Sequence, residues 1–176
     1  ANMGTGVNTD VDSVVYKWDV ATSQFVEAQT IATKGASDWE SFEIGGEQYL
    51  AVANRVSSGS NAVDSIVYKW DAVQSLFVQV QAIATTGAVD THSFEIEGET
   101  YLAVANHTDG TSFSVSSAIY KWNVATSQFD QIQTVATKGA TDWQSIQIGG
   151  QTYLAVANSY DGPGNYVLAS DFYRFD

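Results

Sequence analysis

Apolar positions along this chain fall in short runs rich in Val, Ile, Tyr, Phe and Trp, and no long stripe at the helical period is present. Short β-branched and aromatic runs of this kind predict strands. At 39–44, Phe42 and Ile44 alternate with Glu43, and Gly45-Gly46 then supplies a two-residue hairpin signal. Its counterparts are Glu97-Gly98 and Gly149-Gly150. A second strand at 48–53 is apolar at nearly every position. Such a strand must be covered on both faces, which places it mid-sheet between neighbouring layers. After a loop at 54–64 rich in Gly, Ser, Asn and Asp comes a third strand at 65–70, with Ile66, Tyr68 and Trp70 on one face. The turn 71–75 leads to a fourth strand at 77–84.

The pattern recurs. Tyr49, Tyr101 and Tyr153 each head a Tyr-Leu-Ala-Val-Ala-Asn run, 52 positions apart. Tyr16-Lys17-Trp18, Tyr68-Lys69-Trp70 and Tyr120-Lys121-Trp122 keep step, followed by a degenerate Tyr173-Arg174-Phe175. A fixed period near fifty residues, with four short antiparallel strands in each, predicts the blades of an all-β propeller. A lone blade cannot cover both of its faces, so blades stack around an axis, and the strand after Asp38, Asp90 and Asp142 is innermost. The expected units are a partial blade at 1–37 (third and fourth strands), blades at 38–89 and 90–141, and a partial blade at 142–176 (first to third strands), all in one domain. With 176 residues the chain holds about 3.4 repeats. Two chains would hold roughly seven, within the usual range of 4–8 blades. A dimer that completes a propeller is therefore expected, or a longer parent protein. The strand count is awkward, because two chains supply about 26 strands where seven blades need about 28.

Composition narrows the possible partners. Acidic residues number 20 against 7 basic ones, a net charge of −13. No basic stripe exists to hold nucleic acid, and anionic membrane surfaces are disfavoured. No apolar run approaches the roughly 18 residues of a membrane span. Cysteine is absent, which removes disulfides, zinc ribbons and thiol chemistry. The chain opens Ala1-Asn2 without an initiator Met and is expected to be a mature, trimmed or excerpted product. Asn106-His107-Thr108 is the only Asn-x-Ser/Thr triplet, so Asn106 is the candidate glycan acceptor.

The run Asp-Trp-Glu-Ser-Phe-Glu-Ile-Gly-Gly-Glu-Gln-Tyr-Leu-Ala-Val-Ala-Asn at 38–54, then Ser-Ile-Val-Tyr-Lys-Trp-Asp, then Phe-x-x-x-Gln-x-Ile-x-Thr-x-Gly-Ala, resembles the EAR repeat, also called the epitempin or EPTP repeat. The resemblance covers essentially the whole chain. It implies a seven-bladed propeller of seven repeats. It also implies a secreted or cell-surface setting, as in the leucine-rich glioma-inactivated proteins, where the propeller binds the ectodomains of other proteins and is not an enzyme. The departures are Thr91 in place of Trp, Ile146 in place of the aromatic after Ser, and Tyr173-Arg174-Phe175. Kelch and WD repeats do not fit the order of the motifs.

Asp38, Asp90 and Asp142 open the innermost strand at one register, so a ring would gather their carboxylates at one mouth of its channel. Clustered carboxylates repel and favour a cation or protons, and hard oxygen ligands suit calcium or magnesium. The resemblance implies calcium in the channel at such positions. The plainer alternative is that each Asp caps its own turn. No nucleophile, base and orienting group can be assembled around the two histidines, His92 and His107. Paired carboxylates recur only partly, and Gly162-Pro163-Gly164 is a turn. The loops 3–12, 55–64, 107–116 and 159–169 differ between copies while the framework repeats. They place Asp109, Tyr160, Asp161 and Tyr166 as candidate contacts to a partner. Three functions follow in order: a module that recognises a protein ectodomain, a lectin-like glycan binder, and a structural or self-assembling matrix protein.

Overall fold

The computed structural model describes residues 9–162 and 169–174. Tyr166, Phe175, the Ala1-Asn2 pair and most of the turn at 162–164 lie outside them. The described chain is all strand: β1 (Ser13–Asp19), β2 (Gln24–Ile31), β3 (Ala36–Ile44), β4 (Glu47–Asn54), β5 (Ser65–Asp71), β6 (Leu76–Ile83), β7 (Ala88–Ile96), β8 (Glu99–Asn106), β9 (Ser117–Asn123), β10 (Gln128–Val135), β11 (Ala140–Ile148), β12 (Gln151–Asn158) and β13 (Asp171–Arg174). They form a two-stranded sheet β1-β2, four-stranded sheets β3-β4-β5-β6 and β7-β8-β9-β10, and a three-stranded sheet β11-β12-β13. All pairings are antiparallel. This is the propeller architecture expected from the period, two whole blades flanked by two partial ones.

The Gly-Gly turns behave as read. Gly45 and Gly46 have φ of 60° and 82°, and Glu97 and Gly98 have 53° and 78°. Two consecutive positive φ values give the hairpin twist that matches the flanking strands. The inner strands begin earlier than expected, at Ala36, Ala88 and Ala140, because these alanines already pair with Asn54, Asn106 and Asn158.

The middle strands are buried between blades, as their unbroken apolar pattern requires. Phe42, Tyr49, Ala51 and Val67 of one blade pack against Leu102, Val104, Tyr120 and Phe129 of the next. Phe94, Tyr101, Ala103 and Ile119 pack in turn against Trp143, Leu154 and Val156. Aromatic rings meet across the interface between the two whole blades. Phe129 meets Phe42 edge-on at 5.8 Å and Trp122 meets Tyr49 at 5.4 Å.

Side-chain amides lock the blades at their outer edge. A bulge in the pairing of the outermost strand, at Ala28 and at Val80, turns the following glutamine out of its own sheet. Gln29 accepts from Phe77 N–H at 2.8 Å and donates to Phe77 C=O at 2.8 Å. Gln81 does the same to Phe129, at 2.8 and 2.9 Å. This is the glutamine of the Phe-x-x-x-Gln motif, whose role the sequence did not disclose. Gln81→Leu keeps the volume and removes both bonds, leaving the N–H and C=O of Phe129 half-buried and unpaired. The expected cost is about 2 kcal/mol, read from urea denaturation. Gln133→Leu is expected to cost nothing measurable, because Gln133 is exposed and has no hydrogen-bond partner among the described residues.

Candidate functional site

The three inner strands β3, β7 and β11 lie side by side, and polar side chains of each reach the backbone of the next. Asp38 Oδ2 accepts from Thr91 N–H and from the Thr91 hydroxyl, both at 3.2 Å. Glu40 Oε1 accepts from Ser93 N–H at 2.8 Å and from its hydroxyl at 2.7 Å. Asp90 Oδ2 accepts from Trp143 N–H at 2.9 Å. His92 Nε2 accepts from Ser145 N–H at 3.0 Å. Asp38 and Asp90 thus cap the inner strand of the following blade, 53 residues on, rather than their own turns. Alternation puts these residues on the same face of their strands, and stacking of the blades brings the next strand's N–H within reach.

Electrostatics at this inner ladder are unfavourable to charge. Asp90 is pushed up to about 7, mainly by burial, with the Asp38, Asp142 and Glu40 carboxylates adding to the effect against the Trp143 N–H bond. Burial holds His92 below the ordinary imidazole range despite the nearby carboxylates. This agrees with an Nε2 that accepts a backbone N–H. A raised Asp90 means that the folded chain keeps a proton which the unfolded chain releases between about pH 4 and 7. Stability from this group therefore falls as pH rises through that window. Asp90→Asn keeps an oxygen acceptor for Trp143 and removes the charge. Its melting temperature should exceed the parent's at pH 8 and match it near pH 4. After allowance for partial exposure the gain is on the order of 1–2 kcal/mol, or a few degrees. Thermal melts at the two pH values measure it.

Asp142 sits at the same register on the last inner strand and is exposed. Among the described residues, no three His, Cys, Asp or Glu side chains stand close enough to hold a metal ion. Carboxylate oxygens are the donors calcium takes, and among the described residues Asp38, Asp90 and Asp142 do not gather into such a set. Asp38 and Asp90 also each commit one oxygen to the neighbouring strand.

The described parts of the variable loops fall at one end of the blades. Asp109 closes its own turn, accepting on Oδ1 from Thr111 N–H (2.7 Å), the Thr111 hydroxyl (2.8 Å) and Ser112 N–H (2.7 Å). These bonds, led by that from Ser112, lower its pKa. Asp161 joins two loops by accepting from Lys138 Nζ at 2.6 Å and from the Ser114 hydroxyl at 3.0 Å. The Tyr160 ring meets Phe113 edge-on at 4.3 Å, and Phe113 meets His107 at 5.2 Å. His107, Phe113, Tyr160 and Asp161 thus form a continuous aromatic and acidic surface, whereas Asp109 stands in a turn of its own. Tyr166 is outside the described residues.

Asn106 does not offer its amide to a glycan. It is 8% exposed. Its Oδ1 accepts from Thr86 N–H at 3.0 Å and its Nδ2 donates to Ser116 C=O at 2.9 Å. Asn54 makes the same two bonds, to Lys34 N–H and Asp64 C=O. The asparagine that ends every Tyr-Leu-Ala-Val-Ala-Asn run is a clamp between the blade and its incoming link. Its repetition was the available signal. The hydroxyl pairs Ser13–Thr33, Ser65–Thr85 and Ser117–Thr137, at 2.9–3.0 Å, repeat in the same way.

Comparison with known proteins places these features. The EPTP domain model matches residues 24–71, 76–123 and 128–176. The human thrombospondin-type laminin G domain and EAR repeat-containing protein is 42% identical over 95% of this chain, which corresponds to 25% of its own length. Leucine-rich repeat LGI family member 3 of Macaca fascicularis is 25% identical over 88% of this chain and 26% of its own length. The chain therefore spans about a quarter of the curated relatives it matches. Among solved structures, a Bombyx mori GH32 beta-fructofuranosidase aligns with TM-score 0.49 and 13% identity, covering 79% of this chain and 35% of that one. That likeness is too slight to bear on activity.

Proposed function

Because the chain belongs to the EPTP domain family, we propose that it is part of an extracellular propeller that recognises another protein through its loop face and carries out no chemistry. One observation supports this reading above others. The polar side chains shared by the repeats are spent inside the framework, on Asn–link, Ser–Thr and Gln–Phe contacts. What remains specific to single copies is the surface of His107, Phe113, Tyr160 and Asp161. An aromatic cluster beside a carboxylate suits a protein contact. Both histidines are held by framework bonds, His92 to Ser145 and His107 to the Ala140 carbonyl, so neither is placed as a general base.

The test is affinity capture from extracellular extracts with the parent chain and with Tyr160→Ala. A partner retained by the parent and reduced at least tenfold by the variant, with unchanged melting temperature, supports the reading. Equal retention by both moves the contact elsewhere. Calcium belongs to this reading only in a ring that adds carboxylates from further blades to Asp38, Asp90 and Asp142.

A further inference from the structure

The two four-stranded blades leave a cleft between them at their hairpin end, opposite the variable loops. Its volume is about 390 Å³, within the roughly 300–1,000 Å³ of small-molecule sites. Glu47 and Tyr49 of β4 line it from one blade. Glu99 and Thr100 of β8, Trp122 of β9 and Ser127 of the β9–β10 turn line it from the next.

Three features give this cleft a chemistry. The first is a fixed aromatic ring. Trp122 stands edge-on to Tyr49 at 5.4 Å and to Phe129 at 5.1 Å, and it is only partly buried. A ring already held in place loses little freedom when a ligand rests on it. The second is a buried hydroxyl left over. Thr100 shares a face of β8 with Leu102, turned toward Phe42 and Tyr49, and is 8% exposed. Its hydroxyl has no hydrogen-bond partner among the described residues. In the other copies the same position is occupied locally. Gln48 donates to Glu43 at 2.9 Å, and Thr152 accepts from Gln147 at 2.7 Å. Thr100 stands opposite Glu95 in the ladder and makes no such bond. A buried hydroxyl without a partner carries a desolvation cost that a ligand can recover.

The third feature is charge that is present but balanced. Glu47 is ion-paired to Lys69 and Glu99 to Lys121, each through Oε2. Oε1 of each carboxylate is left as an acceptor beside an ammonium donor. The lysines repel an incoming cation, whereas a neutral hydroxyl can donate to the carboxylate and accept from the ammonium at once. A neutral molecule with one apolar face and several hydroxyls meets all three features, and a pyranose sugar has that form.

We propose that the cleft between the two whole blades binds a neutral sugar residue, with a C–H face of the pyranose ring on Trp122, one hydroxyl bonded to Thr100, and others donating to Glu47 and Glu99. The site is distinct from the loop surface of His107, Phe113, Tyr160 and Asp161. The chain then carries a glycan contact at one end of its blades and a protein contact at the other.

Saturation-transfer NMR on the 176-residue chain tests this. The probes are the methyl glycosides of glucose, galactose, mannose and N-acetylglucosamine, with N-acetyl-lysine amide as the cationic control. At least one glycoside should receive saturation, and the lysine amide should not. Thr100→Val should weaken glycoside binding about tenfold, the loss of one hydrogen bond to a buried hydroxyl. Its melting temperature should not fall, because that hydroxyl has no bond within the chain to lose. Trp122→Ala should abolish binding, and Tyr160→Ala should bind as the parent does. Absence of binding by all four glycosides overturns the proposal, as does equal affinity in Thr100→Val. Loss of binding in Tyr160→Ala moves the sugar to the loop face, and preference for the lysine amide makes the cleft a cation site. Either result also overturns it.

Discussion

Replacing Gly87 by alanine is expected to destabilise the chain by at least about 3 kcal/mol, a large share of the total for a domain of this size. Gly87 sits in the link between two blades with φ of 58°. Its N–H donates to Asn61 C=O at 2.6 Å and its C=O accepts from His107 N–H at 3.1 Å, so the link is tied on both sides. An added Cβ would stand 2.2 Å from the backbone oxygen of Thr108. The left-handed conformation alone costs a non-glycine residue roughly 1–2 kcal/mol, and here a backbone atom blocks the space as well. Gly45 separates the two effects. Its φ is 60°, but a Cβ there meets nothing within 4 Å, so Gly45→Ala should cost only the conformational part. Urea midpoints of the two variants decide the matter. Equal losses would show that crowding at the link contributes nothing.

Leu102→Ala should cost about 3–5 kcal/mol, the range for a leucine removed from a core that cannot collapse. Leu102 is 1% exposed and lies between two four-stranded blades. Leu50 occupies the same place in the Tyr-Leu-Ala-Val-Ala-Asn run, but its neighbour is the two-stranded β1-β2 sheet and it is only partly buried. Leu50→Ala should therefore cost about half as much. Chemical denaturation of both gives the comparison, and a larger loss at Leu50 would contradict the packing order of the blades.

These pairs show how much was written in the chain. The period, the four strands of each blade, the Gly45-Gly46 hairpin and the double burial of the middle strand all follow from residue spacing, and the strand ends agree to within about three residues. Family membership was readable from the same motifs. The candidate site was less legible. Asp38 and Asp90 were correctly placed on the inner strand, but their partners are N–H groups 53 residues away. Local turn chemistry gives no hint of a bond made only when blades stack. Asn106 looked like a glycan acceptor because a triplet says nothing of burial. The Gln29, Gln81 and Gln133 series was visible as a motif but mute as to function, because a bulge decides where each side chain points.

By itself the sequence determined the unit, since hydrophobic period, turn glycines and chain length act within one blade and need no neighbour. Tertiary structure alone decided what each copy of a residue does. Tyr16, Tyr68 and Tyr120 are one letter in one motif, yet the first lies open and the others are buried. Burial, raised or lowered proton affinity and hydrogen-bond partners depend on what stands on the other side of a blade. That is set by the position of a copy in the stack rather than by its composition.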